Sequence, residues 1–187
     1  QVFGREAAAL MQDGRLEDLI IDPSGEVAFA PGAICRGKVD RLVKGQGGVF
    51  LRLPDGAQGF LRDRGGLREG QSLIVQVSGS AEEGKAIPVS ARLNFRGRHV
   101  IVTPSAPGVN VSRRIRETAL RDELTAMGDA AIAELPEPPG IVFRSIAAEA
   151  DRDEIAAEMQ ELLEMAKSIT SDDEGAPELL LDAPDPA

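Results

Sequence analysis

Tryptophan and tyrosine are absent from this 187-residue chain, and aromatic residues, six phenylalanines, make up only 3% of it. Each phenylalanine therefore needs a reason for its position. A single cysteine, Cys35, excludes an internal disulfide and a multi-cysteine zinc site. It reads as a small buried hydrophobe in a reducing compartment. The single histidine, His99, has no partner at nucleophile or metal-ligand spacing and reads as structural. There is no charged-then-apolar leader and no apolar run near the roughly 18 residues of a span, so neither a secretion signal nor a membrane span is expected, and a cytoplasmic location is. What is present is a 42% hydrophobic content, enough for a packed core.

The net charge of −10 argues against a polyanionic partner until its distribution is read. Residues 1–31 carry 2 basic and 6 acidic side chains, residues 32–116 carry 15 and 6, and residues 117–187 carry 4 and 19. A basic block between acidic flanks is the footprint of one module facing a polyanion.

The block boundaries coincide with changes of pattern. Residues 5–11 and 15–22 are apolar-rich runs joined at Asp13-Gly14, a strong hairpin signal. A Pro/Gly-rich connection follows, from Pro23 to Pro31. Runs at Ala33–Val43, Gly48–Leu53, Gly59–Leu61, Ser72–Ser78 and Lys85–Ser90, separated by Gly-rich turns, predict a five-stranded OB-type barrel over 32–90. Beyond it, strands at Arg98–Thr103 and Gly140–Ala147 alternate with helical spacing at Ile115, Ala119, Leu120, Leu124 and Met127. The clearest helix spans Asp151 to about Thr170, with Ile155, Met159, Leu162, Leu163, Ala166 and Ile169 as one apolar stripe. Asp151 and Glu154 fit a capping box at its start. Residues 91–187 are therefore expected to form an α/β unit ending in a flexible acidic tail, with a short strand at Glu178–Leu181 and a frayed end. The fold class is α+β.

Several motifs now fall into order: Gly37-Lys38-Val39-Asp40-Arg41, Gly47-Gly48-Val49-Phe50-Leu51, Gly59-Phe60-Leu61 and Glu69-Gly70-Gln71. Together they resemble the barrel of ribonucleases E and G, the RNA-binding domain named after ribosomal protein S-one. Arg96-Gly97-Arg98, Val111-Ser112-Arg113-Arg114-Ile115 and Gly140-Ile141-Val142-Phe143-Arg144-Ser145 resemble the 5′-end sensor of the same family. Asp13-Gly14-Arg15-Leu16 is similar to its N-terminal hairpin. The resemblance implies that residues 1–31 belong to a split ribonuclease-H-like fold and that 91–187 form the sensor. It also implies that the hydrolytic centre, with two magnesium-binding aspartates, lies further downstream. No catalytic residue and no cofactor is expected within this chain, and the family's zinc-linking cysteine pair is missing.

Phe50 and Phe60 lie on adjacent predicted strands and have two readings, a stacking platform for bases or barrel core. The match at both positions favours stacking, with Arg36, Lys38, Arg41, Lys44 and Lys85 as the phosphate track. The family usually has Lys where this chain has Arg36. The resemblance gives Arg144 and Ser145 the terminal phosphate, through a two-pronged guanidinium contact and a hydroxyl. Ser145 stands where Thr is usual, and the competing reading of Arg144 is a surface ion pair. Gly97 and Ile101 fall at positions whose backbone lies against the terminal nucleotide, glycine permitting close approach. Arg113 and Arg114 either contact RNA or brace the sensor, and are expected before the helix because cations oppose the dipole at a helix start. Asp172-Asp173 and Asp182/Asp185 read as solvated charge, so no metal site is expected.

Two functions stand. One is the RNA-binding, 5′-monophosphate-sensing portion of an endoribonuclease in RNA processing and decay. The other is a complete, non-catalytic single-stranded-RNA-binding regulator. Single-stranded RNA is the expected partner in both, and self-association is left open.

Overall fold

The computed structural model describes residues 7–12, 15–21, 29–43, 47–62, 65–82 and 84–184. Strands β1 (Ala7–Gln12) and β2 (Arg15–Ile21) pair antiparallel from Ala7↔Ile21 to Gln12↔Arg15. The Asp13-Gly14 turn expected between them lies outside the described residues, as does most of the connection that follows.

Five strands close an OB-type barrel: β3 (Ile34–Val43), β4 (Gly48–Arg52), β5 (Gln58–Leu61), β6 (Ser72–Val77) and β7 (Ile87–Ser90). Their order is β3-β4-β5-β7-β6, and β6 pairs back to β3. Alternation along each strand fills the interior. Cys35, Val39, Val49, Leu51, Leu61, Val75, Val77 and Val89 point inward into one apolar cluster. Ile34, one residue from Cys35, faces the other way and packs into the second core.

That second core lies between a four-stranded sheet and two helices. Its strands are β8 (Phe95–Arg96), β9 (Val100–Thr103), β10 (Gly108–Val111) and β11 (Gly140–Phe143), in the order β10-β11-β9-β8. Only β10 and β11 run parallel, joined through α1 (Thr118–Ile132), so the sheet is mixed rather than a regular α/β repeat. β8 and β10 are too short, at two and four residues, to announce themselves by periodicity. The strand expected from Arg98 starts at Val100, and the one expected to reach Ala147 stops at Phe143, where Ser145–Ala148 coil into a 3-10 turn.

Helix α2 (Arg152–Thr170) buries Ile155, Met159, Leu162 and Ala166 against this sheet, the stripe its spacing predicted. Asp151 caps it by accepting from the N–H of Asp153 at 2.8 Å, a simple cap and not a reciprocal box. No helix among the described residues is long and apolar enough to cross a membrane.

The short strand expected at Glu178–Leu181 is present, within a segment otherwise expected to be a flexible acidic tail. This strand, β12 (Glu178–Leu181), pairs antiparallel with β3, Glu178 opposite Arg36 and Leu179 opposite Cys35. It extends the barrel sheet along the half of β3 that β4 does not cover, and Leu181 packs into the second core. Through Leu181 the segment is therefore docked, not a free tail.

Candidate nucleic-acid interface

The outer face of β3, β4 and β5 carries two cross-strand rows. Arg41, Phe50 and Phe60 pair in register across one of them. Lys38, Arg52 and Gln58 pair across the next. Directly paired residues share a face, and Phe50 and Arg52 lie two apart on β4, so both rows present the same side. Lys38 and Arg41 are three apart and would normally face opposite ways. A register shift between Val39 and Arg41 absorbs the odd residue and brings both cations to the outer face.

Phe50 and Phe60 are half-buried, while their neighbours Val49, Leu51 and Leu61 fill the interior. Neither ring belongs to the buried cluster of the barrel. Their centroids are 5.2 Å apart with planes tilted by 54°. The Arg41 guanidinium carbon stands 4.4 Å from the Phe50 centroid, within cation–π range. Gly48 makes room for this arrangement: a Cβ there would fall 2.6 Å from Phe60 Cε2.

The remaining members of the expected phosphate track fare differently. Arg36 is a correction: it is only 4% exposed. Its Nε donates to the Asp172 carbonyl at 2.9 Å, and Nη1 donates to the Ala176 carbonyl and to Glu178 Oε2, both at 3.0 Å. Nη2 is paired with the Asp172 carboxylate. With its donors committed to the C-terminal segment, Arg36 is a clasp between barrel and tail, and Asp172 is a partner in that clasp while its carboxylate stays more than half exposed. Lys85 is exposed and pairs with Glu82 within its own turn, an exchangeable surface contact. Lys44 lies outside the described residues. Arg52 and Gln58 were not read from the sequence; their signal is a position two residues from each phenylalanine.

The second basic group gathers at one end of the mixed sheet. Register aligns Val111 with Phe143 and Phe143 with Val100. The Ser112-Arg113-Arg114 turn, the Arg144-Ser145 pair and the 97–99 turn therefore meet at that end. Arg113 and Arg114 are exposed and precede α1. Arg121, which sequence reasoning missed, braces their turn: Nη1 donates to the carbonyls of Ser112 (2.8 Å) and Ile115 (2.9 Å).

Arg144 is held twice. Its backbone N–H donates to the His99 carbonyl and its Nη1 to the Gly97 carbonyl, each at 2.8 Å. Among the described residues no carboxylate pairs with Arg144, Arg113 or Arg114. The surface-ion-pair reading of Arg144 thus finds no partner. Ser145 is half-buried at the start of the 3-10 turn, and Ile101 is half-buried opposite Val142. His99 is buried, its Nδ1 2.8 Å from Glu158 Oε2. Glu158 was also missed; its signal is a carboxylate three residues after Ile155, on the buried face of α2.

The barrel thus carries an aromatic–cation row on its outer face, and the mixed sheet joined to it carries an arginine cluster at one end, surface chemistry of the kind that nucleic-acid-binding proteins use. Residues 94–187 match the Ribonuclease E/G family, and the chain belongs to that family. It is similar to ribonuclease E of Synechocystis sp., 25% identical over 175 residues that cover 84% of this chain and 25% of the relative. Ribonuclease E of Nostoc sp. is 25% identical over 193 residues, covering 94% and 27%. The ribonuclease E/G-like protein of Pyropia yezoensis is 24% identical over 173 residues, covering 84% and 33%. The chain thus spans about a quarter to a third of the length of these relatives.

Proposed function

We propose that this chain binds single-stranded RNA on the outer face of its barrel and recognises a 5′ monophosphate at the arginine-lined end of its mixed sheet. In this reading it serves the RNA processing of a ribonuclease E/G enzyme. Phe50 and Phe60 offer π faces that accept any base, while Lys38, Arg41 and Arg52 follow the phosphates. Magnesium chemistry, in this reading, belongs to the enzyme's catalytic domain.

The observation that carries the proposal is Arg144. One guanidinium nitrogen is anchored on the Gly97 carbonyl, and among the described residues no carboxylate pairs with the rest. A phosphate monoester has the oxygens for a two-pronged contact with the remaining donors, and the Ser145 hydroxyl supplies another. A 5′ hydroxyl has no such oxygens. Charged hydrogen bonds contribute roughly 1.5–3 kcal/mol each, and exposure of Arg144 places the effect at the low end. The expected preference for 5′-monophosphate over 5′-hydroxyl RNA is about tenfold, one decade per ~1.4 kcal/mol. Binding of two otherwise identical oligoribonucleotides at moderate salt measures it, and equal affinities would reject the sensor.

A further inference from the structure

The Arg144 guanidinium and its backbone both hang on one short turn, and that turn is itself held by a single side chain from another element. Gly97 and His99 supply the two carbonyls that Arg144 uses. The Gly97 N–H closes the turn on the Val100 carbonyl at 2.8 Å. Two further N–H groups of the turn, those of His99 and Val100, point at α2. Glu158 Oε1 accepts from the backbone N–H of His99 at 2.8 Å and of Val100 at 2.9 Å. Glu158 Oε2 takes the His99 ring at 2.8 Å. A carboxylate only accepts, so Nδ1 is the donor there.

Space is reserved for this carboxylate. A Cβ at Gly97 would clash with Glu158 Oε1 and stand 2.6 Å from its Cδ. Glycine at 97 therefore admits Glu158, a demand already present without any nucleotide. The Glu158 side chain is 19% exposed and the His99 side chain 8%, so these charge-assisted bonds are shielded from water and hold the turn firmly.

We infer that Glu158 is a positioning residue for recognition of the RNA 5′ end: it fixes the 97–100 turn, and the turn in turn aims Arg144. The inference rests on the sensor reading given above. Without the carboxylate, the His99 and Val100 N–H groups lose their acceptor and the turn can re-form around other partners. Arg144 would keep its charge but lose its aim, which lowers discrimination between RNA ends more than it lowers total binding.

The test uses the whole chain and two fluorescent oligoribonucleotides differing only in a 5′ monophosphate or hydroxyl. Wild type, Glu158→Ala and Glu158→Gln are compared by anisotropy titration and thermal melting. Glu158→Ala is expected to reduce the roughly tenfold preference to below about twofold, while hydroxyl-ended RNA binds within about twofold of wild type. Glu158→Gln keeps an oxygen for the two backbone N–H groups and is expected to restore most of the preference. A Glu158→Ala protein that retains the wild-type preference overturns the inference while leaving the sensor reading intact. So does an equal loss for both RNA ends in both variants, which would make Glu158 purely structural. If wild type itself shows no preference, the sensor reading falls and the inference falls with it.

Discussion

The guanidinium of Arg41 stacks over the ring of Phe50 at 4.4 Å, so the surface available to a base is shared by an aromatic ring and a cation. An exposed cation–π contact is worth about 0.5–1 kcal/mol. Stacking of a base on an aromatic ring is worth about 1–3 kcal/mol. In the proposed RNA complex a base takes the Phe50 face from Arg41 and releases the cation toward the adjoining phosphate.

Phe50→Ala and Phe60→Ala should each weaken single-stranded RNA binding by about 1–3 kcal/mol. Both rings lie outside the barrel interior, so melting temperatures should move by only a few degrees. Anisotropy titration beside thermal melting separates the effects. A large drop in melting temperature without a binding defect of its own would return the rings to a structural role.

The salt dependence should sort the cations. Each phosphate contact contributes about −0.7 to the slope of log affinity against log salt for single strands. Lys38→Ala and Arg52→Ala should each make the slope shallower by about that amount. Arg36→Met should leave the slope unchanged, because Arg36 is spent on Asp172, Ala176 and Glu178. It should instead destabilise the fold by about 2 kcal/mol, the scale of a lost charged hydrogen bond. The partner carboxylates are more than half exposed and can return to water, which limits the cost. Denaturant melts and salt titrations of the same three variants check both statements.

Arg144→Ala should erase the preference for a 5′ monophosphate and leave hydroxyl-ended RNA binding nearly unchanged, since the barrel still holds the strand. Arg144→Lys keeps the charge but not the planar fork and should recover only part of the preference. Ser145→Thr keeps the hydroxyl and should be tolerated; Ser145→Ala should weaken the preference. Retention of full end discrimination by Arg144→Ala would move the phosphate contact elsewhere in the cluster.

Cys35 is buried in the barrel, and desolvation pushes its thiol up to about 11. The raised value means less thiolate at any pH below it, and the thiolate is the reactive form. Alkylation of the native protein near pH 8 should therefore be far slower than alkylation of the protein in denaturant. Mass spectrometry over a time course reads this directly, and equal rates would show that the barrel opens readily.

Much of the architecture was written locally in the sequence. Alternation and Gly-rich turns marked the five barrel strands, and a helical stripe from Ile155 to Ala166 marked α2, because a single element's burial imposes its own period. The motifs around Phe50, Phe60 and Arg144 were singled out by their resemblance to the ribonuclease E/G family, not by periodicity, which for a phenylalanine on a strand favours the core. Partnerships between distant segments were not. Arg36 read as one more cation of a basic block, and only tertiary structure placed it against Asp172 and Glu178, more than 130 residues away. Glu158 drew no reading from the sequence, and only the docking of α2 places its carboxylate on the 97–100 turn. The bulge that turns Lys38 and Arg41 to one side is likewise a property of pairing with β4, not of β3 alone. Local spacing determines which face of an element is apolar; what a buried charge meets is decided by the packing of elements, because desolvating an unpaired charge is costly and only a neighbouring segment can supply its partner.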